Sequence, residues 1–185
     1  MVRLALPLML AATPLAAQDA DLAAVIADLE ARLSLTEPVE VDGLLFQSIT
    51  FTAVPATSGC DLALDMVFGA DGATSTARMT GSTADLDPAT LGVEDYGPLA
   101  LVVTTVNEAP VLEAEIVVVP GFEYYEDMAA AIAENAIDGT CTEAGCNMPS
   151  MESEFGVPFP PSVDEDDIAG LSGDFGTMME LCNAG

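Results

Sequence analysis

Charge balance constrains this chain more than any other feature. It carries 31 Asp and Glu residues against three arginines, with no Lys and no His, for a formal charge of −28. A fold built from it cannot rest on ion-pair networks, because the cationic partners are missing. It must rest on apolar burial. Apolar residues make up 51% of the chain, too many for a disordered acidic segment. Aromatics supply only 5%, so the core is expected to be mainly aliphatic.

The same balance bounds the chemistry. Nucleic acid and anionic membrane surfaces are poor partners, since no basic patch exists to neutralise phosphates. A protein partner, if cationic, would be attracted over long range. Adaptation to salt produces the same composition without any specific partner. The missing His rules out Ser-His-Asp and Cys-His catalytic sets. The missing Lys rules out a Schiff base and a phosphate-loop lysine. No glycine fingerprint for a dinucleotide follows a strand.

What remains for catalysis is a pair of carboxylates. Glu123 and Glu126 share a helical face beside Tyr124 and Tyr125, but carboxylates are expected at a helix start in any case. The run Asp164, Glu165, Asp166, Asp167 offers oxygen ligands of the kind calcium takes. Ile168 then stands where a calcium loop wants a polar ligand, so the run reads as a solvated face. Met148, Met151, Met178 and Met179 are irregularly spaced and fit core use better than soft-metal binding. No catalytic, cofactor-binding or metal-binding residue is assigned from the sequence.

The first residues resemble a secretory signal. Arg3 supplies a positive start, Leu4 to Leu15 an apolar middle, and Ala16-Ala17 the small residues of a cut site. Cleavage after Ala17 would remove residues 1–17 and leave 18–185 as a single acidic domain, expected to be soluble and periplasmic or extracellular. Its formal charge would be −29, from 31 acids against Arg32 and Arg78. Four cysteines remain: Cys60, Cys141, Cys146 and Cys182. An even count in an exported chain points to two disulfides. The short connection between Cys141 and Cys146 favours that pair, with Cys60 joined to Cys182, over the rival Cys60–Cys141 with Cys146–Cys182. A zinc site is disfavoured by the wide spacing and the absence of His.

The pattern of the rest indicates an α+β fold. Leu22, Val25, Ile26, Leu29 and Leu33 fall at helical spacing and predict a helix from Asp19 to Leu33, ended by Thr36-Glu37-Pro38. Strands are expected from Val39 to Val54 and from Cys60 to Phe68, where Leu62, Leu64, Met66 and Phe68 alternate with polar neighbours. Asp71-Gly72 signals a hairpin into Ala73 to Thr80. Asp87-Pro88 suits a single helical turn. Leu99–Val106 and Val111–Val119 are apolar on both faces for part of their length, so they are expected to pair as the covered centre of an antiparallel sheet of about five strands. A second helix is expected from Glu123 to Ile137. From about residue 140 the chain reads as an irregular, disulfide-tied tail, with a short helix near Gly176 to Cys182.

These readings favour a non-catalytic exported domain that binds another protein or serves as an accessory subunit. The alternatives are a carrier of an apolar ligand between sheet and helices, and a carboxylate-based hydrolase. An exposed apolar patch would mark the first, a large dry cavity the second, and a pocket holding two carboxylates the third.

Overall fold

The computed structural model describes residues 15–41, 44–70, 72–95, 98–122, 124–160 and 163–184. The order of elements is α1 (Leu15–Leu33), β1 (Val39–Val41), β2 (Leu44–Pro55), β3 (Cys60–Ala70), β4 (Ala73–Ser82), β5 (Gly92–Asp95), β6 (Leu99–Thr104), β7 (Leu112–Val118), α2 (Tyr125–Ala133), β8 (Thr140–Thr142), β9 (Gly145–Glu152), β10 (Glu154–Pro158) and α3 (Glu165–Asn183). The strands form a seven-stranded sheet in the order β1-β2-β3-β4-β7-β9-β8 and a three-stranded sheet in the order β10-β6-β5. All of their pairings are antiparallel.

The large sheet follows from simple alternation. Ile49, Phe51 and Ala53 of β2 and Leu62 and Leu64 of β3 are buried, while Val54 and Asp61 are exposed. The β3–β4 hairpin turns through Gly72, whose φ of 85° suits a residue without a side chain. Asp87 caps a single 3-10 turn at Pro88–Thr90 by accepting from the Ala89 N–H.

Helices α1 and α3 cover one end of the large sheet's inner face. Leu22, Ile26, Leu29 and Leu33 of α1 join Leu171, Phe175, Met178 and Met179 of α3 in one core. The Phe51 and Phe175 rings lie 5.8 Å apart. Helix α1 also blunts the edge of β2 beyond β1. Ser34 Oγ accepts from the Phe51 N–H and Glu30 Oε1 from the Ala53 N–H, both at 3.1 Å. Arg32, near the end of α1, reaches Asp28 at 3.1 Å, Asp174 at 3.3 Å and Asp167 at 3.6 Å. The Asp28 hydrogen bond holds its pKa above the ordinary value.

The structure joins Cys60 to Cys182 and Cys141 to Cys146. The first bond is buried and ties α3 to the start of β3. Thr83 reinforces it: its Oγ1 accepts from the Cys60 N–H and donates to Asn183 Oδ1, and its carbonyl accepts from Asn183 Nδ2. Two disulfides fit an oxidising compartment. No helix among the described residues is long and apolar enough to cross a membrane.

Three sequence expectations are corrected. The strands at 99–106 and 111–119 do not pair. Asn107 and Glu108 take φ values of 60° and 54°, and this left-handed pair leads the chain out of the plane of β6. Thr105 anchors the exit by donating from Oγ1 to the Ala109 carbonyl at 2.6 Å. Strand β6 then centres the small sheet and is buried on both faces, whereas β7 lies inside the large sheet with one face exposed. Ten strands form among the described residues in place of about five: the expected strand from Val39 to Val54 divides into β1 and β2, β5 is added, and the segment after residue 140 is not irregular. It supplies β8, β9, β10 and the 19-residue helix α3. The second helix is shorter than expected, at Tyr125–Ala133.

Candidate functional site

Beyond the part covered by helices, the inner face of the large sheet continues as Phe46, Met66, Phe68, Ala77 and Ile116. The register sets them side by side: Phe46 lies opposite Phe68, Met66 opposite Ala77, and Ala77 opposite Ile116. Phe46 reaches this face through a bulge. Three positions separate it from Ile49, which would place the two on opposite faces of a regular strand. The register shifts between Phe46 and Ser48, so Gln47 is the extra residue that restores the phase.

The facing wall comes from the small sheet. Pro98 precedes β6, Ala100 sits opposite Pro158 across the β6–β10 pair, and Gly156 sits opposite Val102. Alternation sends Leu101, Val103, Phe155 and Val157 into the helical core and turns Ala100, Gly156 and Pro158 toward the large sheet. The two walls enclose a cleft of about 390 Å³ that is open to solvent, within the size range of small-molecule sites.

Among the described residues, no side chain lining this cleft carries a charge or a hydrogen-bonding group. It can therefore bury apolar groups. Its room comes from small residues. Ala100 and Gly156 stand on one side and Ala77 on the other, and a Cβ built on Gly156 would meet nothing within 4 Å. Gly156 is not among the glycines with positive φ, so its backbone does not require glycine.

The opposite, outer face of the large sheet is polar. Two shallow hollows of about 460 and 400 Å³ flank Arg78, bordered by Asp61, Asp85, Glu113 and Glu115. Arg78 Nε lies 3.6 Å from Asp65 Oδ1, and both side chains are largely exposed. Such a pair contributes little in water, and the surface is that of a solvated sheet.

The residues singled out in the sequence lie elsewhere. Glu126 is exposed in the first turn of α2, and Glu123 lies outside the described residues. Asp164 caps α3 by accepting from the Asp167 N–H at 2.9 Å. Met178 and Met179 are buried in the core, Met148 is half-buried opposite Ile116, and Met151 is exposed. No group of three or more His, Cys, Asp or Glu residues able to hold a metal occurs among the described residues. The cleft was missed because Gly156 and Pro158 of its facing wall belong to β10, which was not expected as a strand. The signal is present in 154–158, where Phe155 and Val157 alternate with Gly156 and Pro158.

No protein-family model, curated protein or solved structure matches the chain.

Proposed function

We propose that this protein is an exported, non-catalytic binding domain that takes up an apolar group in the cleft between its two sheets. The observation that carries the reading is the cleft itself: an opening of about 390 Å³ whose described border consists of apolar residues and glycine. An apolar surface of this kind gains about 25 cal/mol for each Å² removed from water, so leaving it open is costly unless something uses it. Export is supported by the signal-like residues 1–17 and by the two disulfides. Cleavage after Ala17 would leave Gln18 in the first turn of α1, and the mature protein is expected in the periplasm or outside the cell.

A neutral solvatochromic dye such as Nile red tests the cleft. Its emission should rise and shift to the blue with the wild-type chain, and Gly156→Leu, which fills the cleft, should remove most of the response. An equal response from Gly156→Leu, with its fold intact by circular dichroism, would eliminate the cleft as the binding site.

A further inference from the structure

We infer that the cleft's natural occupant is an apolar side chain carried on a basic, extended segment of a protein partner. This deepens the reading of the cleft as a binding site and rests on it. Charge selects the partner. The chain carries −28 overall, and both described arginines are turned elsewhere. Arg32 is held by Asp28, Asp174 and Asp167 between α1 and α3. Arg78 adjoins the cleft residue Ala77 in sequence and so points to the opposite face of the sheet. On the small sheet, Glu94 of β5 lies directly opposite Ala100, which places a carboxylate on the cleft-side face. A cation flanking an inserted apolar group therefore meets a favourable field. A second copy of this chain, or an anionic lipid, meets repulsion.

The backbone selects an extended segment. Strand β10 ends its sheet, and no described strand pairs on its far side. The Phe159 N–H donates to the Leu99 carbonyl, and the Thr105 N–H to the Ser153 carbonyl. These bonds fix the phase of the ladder. Phe155 and Val157 address β6, and the peptide groups of Gly156 turn away from it. Glycine inside a strand often marks the close approach of another backbone. A partner strand added along β10 would gain main-chain hydrogen bonds there while its apolar side chain enters the cleft.

The test uses the full-length, oxidised, ¹⁵N-labelled protein and three synthetic peptides. One carries a single Phe flanked by lysines, the second replaces that Phe with Ala, and the third replaces the lysines with Glu. The Phe-Lys peptide should shift the amide signals of Ala100, Gly156 and Ile116. Replacing Phe with Ala should weaken it by at least about tenfold, the cost of leaving a Phe-sized apolar group unburied. The Glu peptide should bind more weakly still. Gly156→Leu should abolish the shifts, and Ile116→Gln, at a position that is 37% exposed and so tolerant of change, should weaken them.

Equal binding of the Glu peptide would overturn the basic partner and leave the cleft standing. Binding of the Phe-Lys peptide that ignores both Phe→Ala and Gly156→Leu would be surface attraction and would overturn the cleft as well. If none of the peptides moves these signals while Nile red still binds, the peptide partner is wrong and a small apolar ligand takes its place.

Discussion

Strand β3 holds two environments on one face. Leu62 and Leu64 are sealed at 2% and 0% exposure, whereas Met66 and Phe68 remain half-buried. The same break crosses the sheet. Ile49, Phe51 and Leu112 lie under the helices and the small sheet, while Phe46, Ala77 and Ile116 face the open cleft. Alternation of residue type is the same at both ends, so it does not decide which end is covered. What decides is where the later chain returns. α3 is brought back to the start of β3 by Cys60–Cys182, and β10 is brought beside β6 with its small residues toward the cleft. One end is built for stability, and the other is left with room.

The disulfides divide in the same way and offer the strongest perturbation. Cys60–Cys182, at the covered end, closes a sequence separation of 122 residues, while Cys141–Cys146, at the edge hairpin β8–β9, closes a separation of five. In the chain-entropy model the first loop contributes about 4–5 kcal/mol and the second about 2 kcal/mol. Urea unfolding of Cys60→Ser/Cys182→Ser should therefore show the larger loss. Cys141→Ser/Cys146→Ser should retain most stability and retain dye binding in the cleft. The reverse order would mean that the core at the covered end does not depend on its covalent tie.

Paired truncations test the contrast between the ends directly. Phe51 is 1% exposed and contacts Phe175, so Phe51→Ala should cost about 3–5 kcal/mol. Phe68 is half-buried and meets Phe122 edge-on at 5.7 Å. Phe68→Ala should cost about 1–2 kcal/mol, since the ring pair supplies about 1 kcal/mol and the partial burial the rest. Equal losses in denaturant titrations would show that the cleft end is as tightly built as the helical end.

Much of the covered end is legible from sequence. Leu22, Ile26, Leu29 and Leu33 declare α1, and the alternation from Leu62 to Phe68 with Gly72 declares the first hairpin. The later part of the chain is less legible at both ends, and for physical reasons. Helix α3 contains Gly170, Gly173 and Gly176, each unfavourable by about 1 kcal/mol relative to Ala in a helix. Yet Leu171, Phe175, Met178 and Cys182 repeat at helical spacing and are buried, and tertiary packing overrides the glycines. Strand β10 is only five residues long and includes Gly156 and Pro158, both poor strand formers. Its pairing with β6 is a contact between distant parts of the chain, which no local pattern encodes. The cleft depends on that pairing, so it stayed hidden along with the strand.

The smallest expected effect is also the sharpest discriminator between the two ends. Gly81 and Gly156 both lie in strands and neither has a positive φ. A Cβ at Gly81 would collide with Leu112 Cδ2, whereas one at Gly156 would meet open space. Leu112 is fully buried and has little freedom to move aside, so Gly81→Ala should cost about 1–3 kcal/mol as overpacking. At Gly156 the same change restricts the unfolded chain and meets no clash, so Gly156→Ala should stabilise by about 0.4–1 kcal/mol. Thermal unfolding of the two variants measures the signs. If Gly156→Ala is stabilising and also weakens the Phe-Lys peptide, then glycine at this position lowers stability while keeping space for an occupant, as strand positions near a bound backbone do. If Gly156→Ala destabilises as Gly81→Ala does, the space beside it is filled in the folded protein, and the distinction between a sealed end and an open one fails.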